Sequence, residues 1–541
     1  MSYWYKKERP FGPDPFGIVK LGYTLISSKG PVEIGDFQQH FDPSSGKLFS
    51  RVSMYQLTLE VESLLTDDHT LSETFRIVEF PCPDAVFQCW LQFPVRTYSD
   101  KPLAAFAGIP GGLNVMPEEE EPAFEYHYRD RNGDFAGKGW SSVKILSGRG
   151  RVTHRIVNAA APEIQTSICG LAEGDRLVRI TTVRDSRDSA EWQDPMPHRR
   201  SCERVRTAAQ EPNSRTRVSS ASSFSCDVAE ITRQFELSLY VVRASLHPGG
   251  SSVSCLAIPN GHSMGTYWDV WYTFTALIRT DRLAEARRIA DFWRAAYPEA
   301  RRVARDDYGL AGARFEWVLH SDGTPVYYSD QIHNNLIPVF ILWEDARMRD
   351  DDCALADSFP LMRDAILFVI RYALKRDEDG KWYLRALTAV DESLQKKENE
   401  LLTVVAAGKA MDLLAEAAQR LGIAVEPEIA AARTAFRSIL ATLKTARGYD
   451  AYQGADLHTW ASIIACIHYP EPENFSQALE YALAGCRESH GLGMGRNSRM
   501  RCATWPWVEG IFAWAMARNR DSRVFEYLNM MNRYTDRKSV V

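Results

Sequence analysis

Residues 226–246, CDVAEITRQFELSLYVVRASL, mark the point where the hydrophobic period of this chain changes. Val228, Ile231, Phe235, Leu239 and Val242 fall three or four positions apart, which lines them along one face of a helix. The same period returns at 266–280, 281–297, 329–348, 359–375, 398–421, 426–444, 455–467, 474–486, 505–517 and 522–534, about eleven candidate helices with short connections. No sequence period of about 30 to 47 residues repeats, which sets a helical solenoid aside. A closed ring of antiparallel helical hairpins, an (α/α)6 toroid, is the arrangement that this helix number favours.

Upstream the pattern is different. Segment 205–225, ending TAAQEPNSRTRVSSASSFS, is small, polar and aperiodic, and reads as a linker or mobile loop. Before it come YQLTLEVESLL (55–65), FRIVEF (75–80), FQCWLQFPV (87–95), RVTHRIVN (151–158), IQTSICGL (164–171) and DRLVRITTV (175–183), short β-branched and aromatic runs punctuated by turn residues. Such a series belongs to an antiparallel β-sandwich. The expected class is therefore α+β and multidomain, with a sandwich over 1–204, a linker over 205–225 and an (α/α)6 barrel over 226–541. GRGRV at 148–152 reads as a turn between strands, because no helix start follows it to make a nucleotide loop. The acidic run Glu118 to Glu121 reads as a solvated loop.

Length and composition agree with that division. At 541 residues the chain exceeds what one compact core supports, and 45% apolar with 25% charged residues is the balance of a folded protein. A net charge of −6 with no Lys/Arg-rich run lacks the basic field that a nucleic-acid partner requires. The first residues, MSYWYKKERPFGPD, hold no signal-peptide core, and no later run approaches the roughly 20 apolar residues of a membrane span. A cytoplasmic protein without a membrane partner is the expectation. Ten cysteines without a CxxC pair read as free thiols in a reducing compartment, so neither a metal nor another cofactor is expected.

In a helical barrel, side chains at the loop ends around the central cavity carry the chemistry, so aromatics beside carboxylates at helix starts are the candidates. Trp268-Asp269 opens a helix after GHSMG; a sugar ring stacks on aromatic faces while a carboxylate takes its hydroxyls. Phe315-Glu316-Trp317 is a second such group, followed by His333 in DQIHNN. AVDESLQKKEN (389–399) is the third, with the adjacent carboxylates Asp391 and Glu392. Each also has a plain structural reading: Asp269 as a charge on a helix dipole, His333 as a packed histidine, Asp391-Glu392 as a solvated capping pair.

Taken in order, FELSLYVVRAS (235–245), residues 261–317 from GHSMGTYWD to GARFEW, SDQIHNN (329–335) and VDESLQKKENELLT (390–403) resemble family 65 of the glycoside hydrolases, the kojibiose and maltose phosphorylases and acid trehalases. That family carries F-W-D-T-E, G-A-x-Y-P-W-E, E-I-H-I and P-D-E-Y-H followed by N-N-A-Y-T. Asp391, Glu392, Asn399 and Thr403 keep the spacing of its last two motifs. The resemblance implies a six-hairpin glycosidase fold acting on an α-glucoside with inversion, with Glu392 as general acid and Trp268 and Asp269 holding the glucosyl unit. Trp317, His333, Asp391 and Asn399 are further substrate-binding candidates. Acetal cleavage independently needs a carboxyl group that is protonated near neutral pH, and Asp391 beside a partly buried Glu392 would favour that state.

What attacks the sugar is set elsewhere. The phosphorylases supply a His and hydroxyl residues for phosphate; SHGLGMGRNSRMR (489–501) keeps His490 without the Ser-Ser pair, while Arg496, Arg499 and Arg501 offer anion-binding groups. Hydrolysis needs a second carboxylate as base, for which Glu509 in ATWPWVEGIFAWAMA is the candidate and Glu488 the second choice. Val270-Trp271, Gln331, Val318 and Ser393-Leu394 replace polar residues of the family motifs. An inverting hydrolase of a small α-glucoside or glycoconjugate is the leading expectation. A repurposed barrel running a cyclisation or isomerisation, an α-glucoside phosphorylase and a non-catalytic carbohydrate-binding protein are the alternatives. The partner is a small carbohydrate or glycoside; a homodimer is compatible with the sequence, which leaves oligomeric state open.

Overall fold

The structure is a computed structural model that describes residues 2–4, 15–17, 20–27, 30–31, 35–42, 45–54, 57–65, 70–80, 85–92, 113–116, 123–129, 135–157, 163–185, 226–244, 246, 267–319, 323–389, 396–446, 448–455, 463, 476–480, 487–488, 491–492 and 506–528. Asp14–Ala221 belong to one compact unit and Ser222–Val541 to another. The expected linker, the acidic run and GHSMG lie outside the described residues.

The first unit is built from two antiparallel sheets. The larger has eight strands in the order Leu113–Met116, Ala123–Arg129, Phe135–Ser147, Arg176–Asp185, Thr70–Glu79, Leu57–Leu65, Lys47–Met54, Asp36–Asp42. The smaller has five, in the order Arg151–Val157, Glu163–Cys169, Val86–Gln92, Lys20–Ser27, Gly30–Pro31. Along Leu57–Leu65 the sequence alternates, so Leu57, Leu59 and Val61 enter the core while Glu60 and Glu62 take the opposite face. Val52, Phe75 and Ile77 of the larger sheet and Leu25, Phe87 and Ile168 of the smaller join in one apolar cluster. The two sheets thus share a core, each burying one face.

All six segments read as strands are strands. Lys20–Ser27, Asp36–Asp42 and Phe135–Ser147 join them unannounced, because glycines and charges in KLGYTLIS, DFQQHFD and FAGKGWSSVKILS blur the period of two. Gly148, at φ +123°, turns the chain from Phe135–Ser147 toward Arg151–Val157, where GRGRV was expected to turn.

The second unit is helical. Its described helices are α1 (Ala229–Ala244), α2 (Tyr267–Arg279), α3 (Leu283–Asp306), α4 (Ile337–Arg349), α5 (Asp352–Ala373), α6 (Leu401–Leu421), α7 (Pro427–Leu443) and α8 (Pro506–Arg518). Three tight connections make hairpins of them. Asp281 at φ 57° turns α2 into α3. Asp350 at φ 53° ends α4, and the Asp351 carboxylate accepts from the Ala354 N–H at 2.8 Å to start α5. Gly422 at φ 66° ends α6, and Pro427 opens α7. Phe274, Trp293, Ile341, Met362, Val405 and Phe436, from six different helices, are fully or nearly fully buried in one core. Each such side chain contributes about 1.5–3 kcal/mol by leaving water. Closure into six hairpins needs further helices, and residues 456–462, 464–475 and 493–505 are outside the described part. No helix among the described residues is long and apolar enough to cross a membrane.

Candidate active site

Three of the four segments singled out in the sequence meet in the helical unit. The loop from Gly312 to Trp317 can lie against α5 because Gly312, at φ +136°, has no side chain; a Cβ there would stand 2.8 Å from the Asp364 carbonyl oxygen and the Phe368 nitrogen. Asn335, in the 3-10 turn Ile332–Leu336, ties that loop down. Its Oδ1 accepts from Phe315 N–H at 2.7 Å, and its Nδ2 donates to the carbonyls of Ala313 (3.1 Å) and Ala365 (2.9 Å).

Glu316 is the carboxylate of this loop, and all its accepting capacity is directed inward. Arg314 donates to it twice, Nε to Oε1 at 3.0 Å and Nη2 to Oε2 at 2.7 Å, and both residues are fully enclosed. The Tyr308 hydroxyl donates to Oε1 and the Ser329 N–H to Oε2 at 3.2 Å. Burial and the Glu316 charge, working against Arg314, hold the Tyr308 hydroxyl well above its ordinary range, so it stays a donor. A carboxylate already accepting four hydrogen bonds, with no exposed surface, is a packing anchor and does not hold sugar hydroxyls in this arrangement.

The loop carrying Asp391 and Glu392 is fixed at its base by the same turn. Leu387 and Lys397 exchange backbone hydrogen bonds of 3.0 and 2.8 Å, which closes the loop between them. Gln331 Nε2 donates to the Ala389 carbonyl at 3.1 Å, and Asn334 Nδ2 donates to Gln331 Oε1 at 3.3 Å, which orients the amide. Asp330 accepts from the Tyr372 hydroxyl at 2.5 Å, and Arg385 lies 4.5 Å above the Tyr372 ring. The fourth segment, the start of α2, approaches the last helix. Trp271 packs 5.8 Å from Phe340 of α4 and 6.0 Å from Trp514 of α8, so the helix that begins at Tyr267 and the helix that contains Glu509 touch through these rings.

The candidate residues fall into three groups. Trp317, His333 and Asn399 are described, and all three are buried. Asn399 is occupied: at φ 50° its Oδ1 accepts from Leu384 N–H at 2.7 Å and its Nδ2 donates to Gln453. Next to it Glu400 caps α6, accepting from the N–H groups of Leu402 (3.1 Å) and Thr403 (2.8 Å) and from the Thr403 hydroxyl (2.7 Å). Trp268, Asp269 and Glu509 are placed by backbone alone, in the first turns of α2 and α8. Asp391, Glu392 and His490 lie outside the described residues, as do Arg496, Arg499 and Arg501. Reading the sequence for carboxylates beside aromatics missed Arg314 and Tyr308, and singled out Gln331 only as a replaced residue of the family motif. The signal for Arg314 was present, a basic residue two positions from Glu316 in a loop with no helical period to separate them.

His333 is fully buried, and burial, followed by the nearby Arg314 charge, pushes its pKa down to about 3. It is a neutral imidazole at physiological pH. Because the unfolded chain binds this proton near pH 6.5 and the folded chain does not, stability is complete above that pH and declines as the pH falls toward 3. About 2 kcal/mol should be lost by pH 5 from this group. The unfolding midpoint of wild type, compared with His333→Gln at pH 7 and pH 5, checks this; identical pH slopes in the two proteins would refute it.

No family model and no curated protein sequence matches the chain. Among solved structures, a protein described as "Putative kojibiose phosphorylase from human microbiome" superposes with a TM-score of 0.64 at 10% identity, over 98% of this chain and 81% of its own. More distant likenesses are a wild-type glycosidase (TM-score 0.44, 14% identity, 57% of this chain and 85% of that one) and a gh92 family glycosyl hydrolase (0.40, 12%, 93% and 69%). The antiparallel sheet unit followed by a helical unit is therefore the fold of the kojibiose phosphorylase neighbour, in keeping with the resemblance to family 65 in residues 235–403.

Proposed function

We infer that the protein is a carbohydrate-active enzyme, an inverting hydrolase of a small α-glucoside or glycoconjugate. The observation that carries the reading is the convergence of the 312–317 loop, the 330–335 turn and the base of the 388–396 loop, on a fold shared over almost the whole chain with the protein described as "Putative kojibiose phosphorylase from human microbiome". Glu392 is assigned as the acid that protonates the departing glycosidic oxygen. Glu509 is assigned as the base that takes a proton from water as it attacks the anomeric carbon from the opposite face, which requires the two carboxyl groups to stand roughly 6.5–9.5 Å apart. Trp268 and Asp269, at the start of α2, are assigned to the glucosyl ring, the tryptophan by stacking and the carboxylate by accepting hydroxyls. His490 is assigned to substrate binding.

One observation favours a second reading, a non-hydrolytic acid/base reaction on a less polar substrate. Two polar positions near the loop serve the protein itself: Glu316 is consumed by Arg314, and Gln331 is spent on Ala389. Incubation with kojibiose, trehalose, maltose and nigerose, with and without phosphate, separates the possibilities. Release of β-glucose from one of them, independent of phosphate, is the expected result. Glucose 1-phosphate would instead identify a phosphorylase, and no turnover of any of the four would reject the glucosidase reading.

A further inference from the structure

The eight-stranded sheet presents, opposite its core face, a concavity of about 760 Å³ that has no part in the site above. Strand register sets one row of side chains across it. Gln38 is paired with Arg51, Arg51 with Glu60, Glu60 with Arg76, and Arg76 with Arg176. Because neighbouring strands lie about 4.8 Å apart, the row spans about 19 Å. Gln38, Arg51, Arg76 and Arg176 are exposed.

The charges of this row do not cancel. Arg51 and Arg76 both donate to Glu60, at 3.3 and 3.1 Å, so one carboxylate is shared by two guanidinium groups. On the adjacent row Glu62 is taken by Lys47 at 2.7 Å. Arg176 has no carboxylate partner among the described residues, and it stands directly across the ladder from Arg76. Like charges directly opposed on neighbouring strands destabilise a sheet, and an anion held between the two forks would reverse that cost. Beside this row is Phe49, a phenylalanine 39% exposed; apart from Val61, the other residues that line the concavity have polar or charged side chains. An apolar ring face next to amide and guanidinium donors is what a saturated, hydroxyl-rich ring stacks on and bonds to.

We propose that this concave sheet face binds an acidic oligosaccharide, one whose sugar rings carry carboxylates. A ring packs on Phe49, hydroxyls meet Gln38 and its neighbours, and a uronate carboxylate is clamped between Arg76 and Arg176. Bidentate geometry favours a planar carboxylate there, and the length of the row accommodates several sugar residues. The proposal stands on the sheet unit alone and does not depend on the reaction assigned to the helical unit.

The test is calorimetric titration of the full-length protein with hexagalacturonic acid, its methyl ester and maltohexaose. Binding of the acid, with affinity lowered about tenfold or more in Arg176→Gln, matches the loss of a charged hydrogen bond. Phe49→Ser should weaken it as well, while Arg176→Gln does not lower the thermal unfolding midpoint, since it relieves the like-charge pair with Arg76. Three results would overturn the proposal: no binding of the acid, equal binding of its methyl ester or of maltohexaose, or binding that Arg176→Gln does not alter. Equal binding of a poly-glutamate peptide would also overturn it, since the face would then read charge without sugar.

Discussion

Glu316→Ala is expected to lower the stability of the helical unit by about 3–5 kcal/mol, the range for removing one partner of a buried ion pair. The reason is the guanidinium left behind. Arg314 is 1% exposed, its Nη1 already has no hydrogen-bond partner among the described groups, and Glu316 supplies the acceptor for Nε and one of the two for Nη2. The Ser329 carbonyl, at 2.6 Å from Nη2, and the rings of Phe368 and Tyr308, at 5.6 and 5.9 Å, would remain. None of them carries a full negative charge. Removing the pair together should cost far less than the sum of the two single changes, because no uncompensated charge then stays inside. Tyr308→Phe, which removes one donor to Glu316, should cost about 1 kcal/mol. Calorimetry that resolves the helical transition measures all of these. A Glu316→Ala protein as stable as wild type would show that the carboxylate is not the anchor that its contacts make it. Loss of this anchor should also loosen the junction of the 312–317 loop with Ser329, two residues before the clamp on Ala389.

The same residues show where the sequence was readable and where it was not. Strands such as Leu57–Leu65 could be read because burial alternates with a period of two, and α3 or α6 because it recurs every three or four residues. The expected ends at 421 and 426 fall where Gly422 and Pro427 stop and start helices, but α5 begins at Asp352, seven residues before the expected 359, because polar DCALADS hides the apolar period there. Side-chain partnership was the part out of reach. Phe315-Glu316-Trp317 has the composition of a sugar platform; Arg314 stood two positions away as a signal, but Tyr308, eight positions away, was reachable only through the packing that has both fill the carboxylate. Asn399 and Thr403 match family spacing, yet their neighbour Glu400 does the capping and Asn399 holds backbone. Gln331 reads as a lost glutamate; in the structure its amide N–H donates to a carbonyl, which an ionised glutamate cannot do. The substitution exchanges a charge in the site for a tie to the loop that carries Asp391 and Glu392.

Glu392→Gln should reduce turnover of the disaccharide substrate by about 10²–10⁴-fold, the usual contribution of a positioned proton donor. Glutamine keeps the size of the side chain and loses the transferable proton, so a stable fold with a lost reaction is the expected pair of results. The loss must depend on the leaving group if Glu392 is the acid. A disaccharide departs as an alkoxide unless its oxygen is protonated, whereas fluoride leaves without a proton. Glu392→Gln should therefore retain most of its activity on α-glucosyl fluoride. Glu509→Gln should lose both activities, because water must be deprotonated whatever departs. The pH profile gives a second criterion: the fall in wild-type disaccharide turnover at high pH reports deprotonation of the acid, and the fluoride reaction of Glu392→Gln should lack that limb. Equal losses on disaccharide and fluoride in Glu392→Gln would assign the residue to substrate binding, and full disaccharide activity in that variant would remove it from the reaction. The loop base fixed by Leu387, Lys397 and Gln331 makes the experiment specific, since the substitution lies between pinned ends and leaves each of those bonds in place.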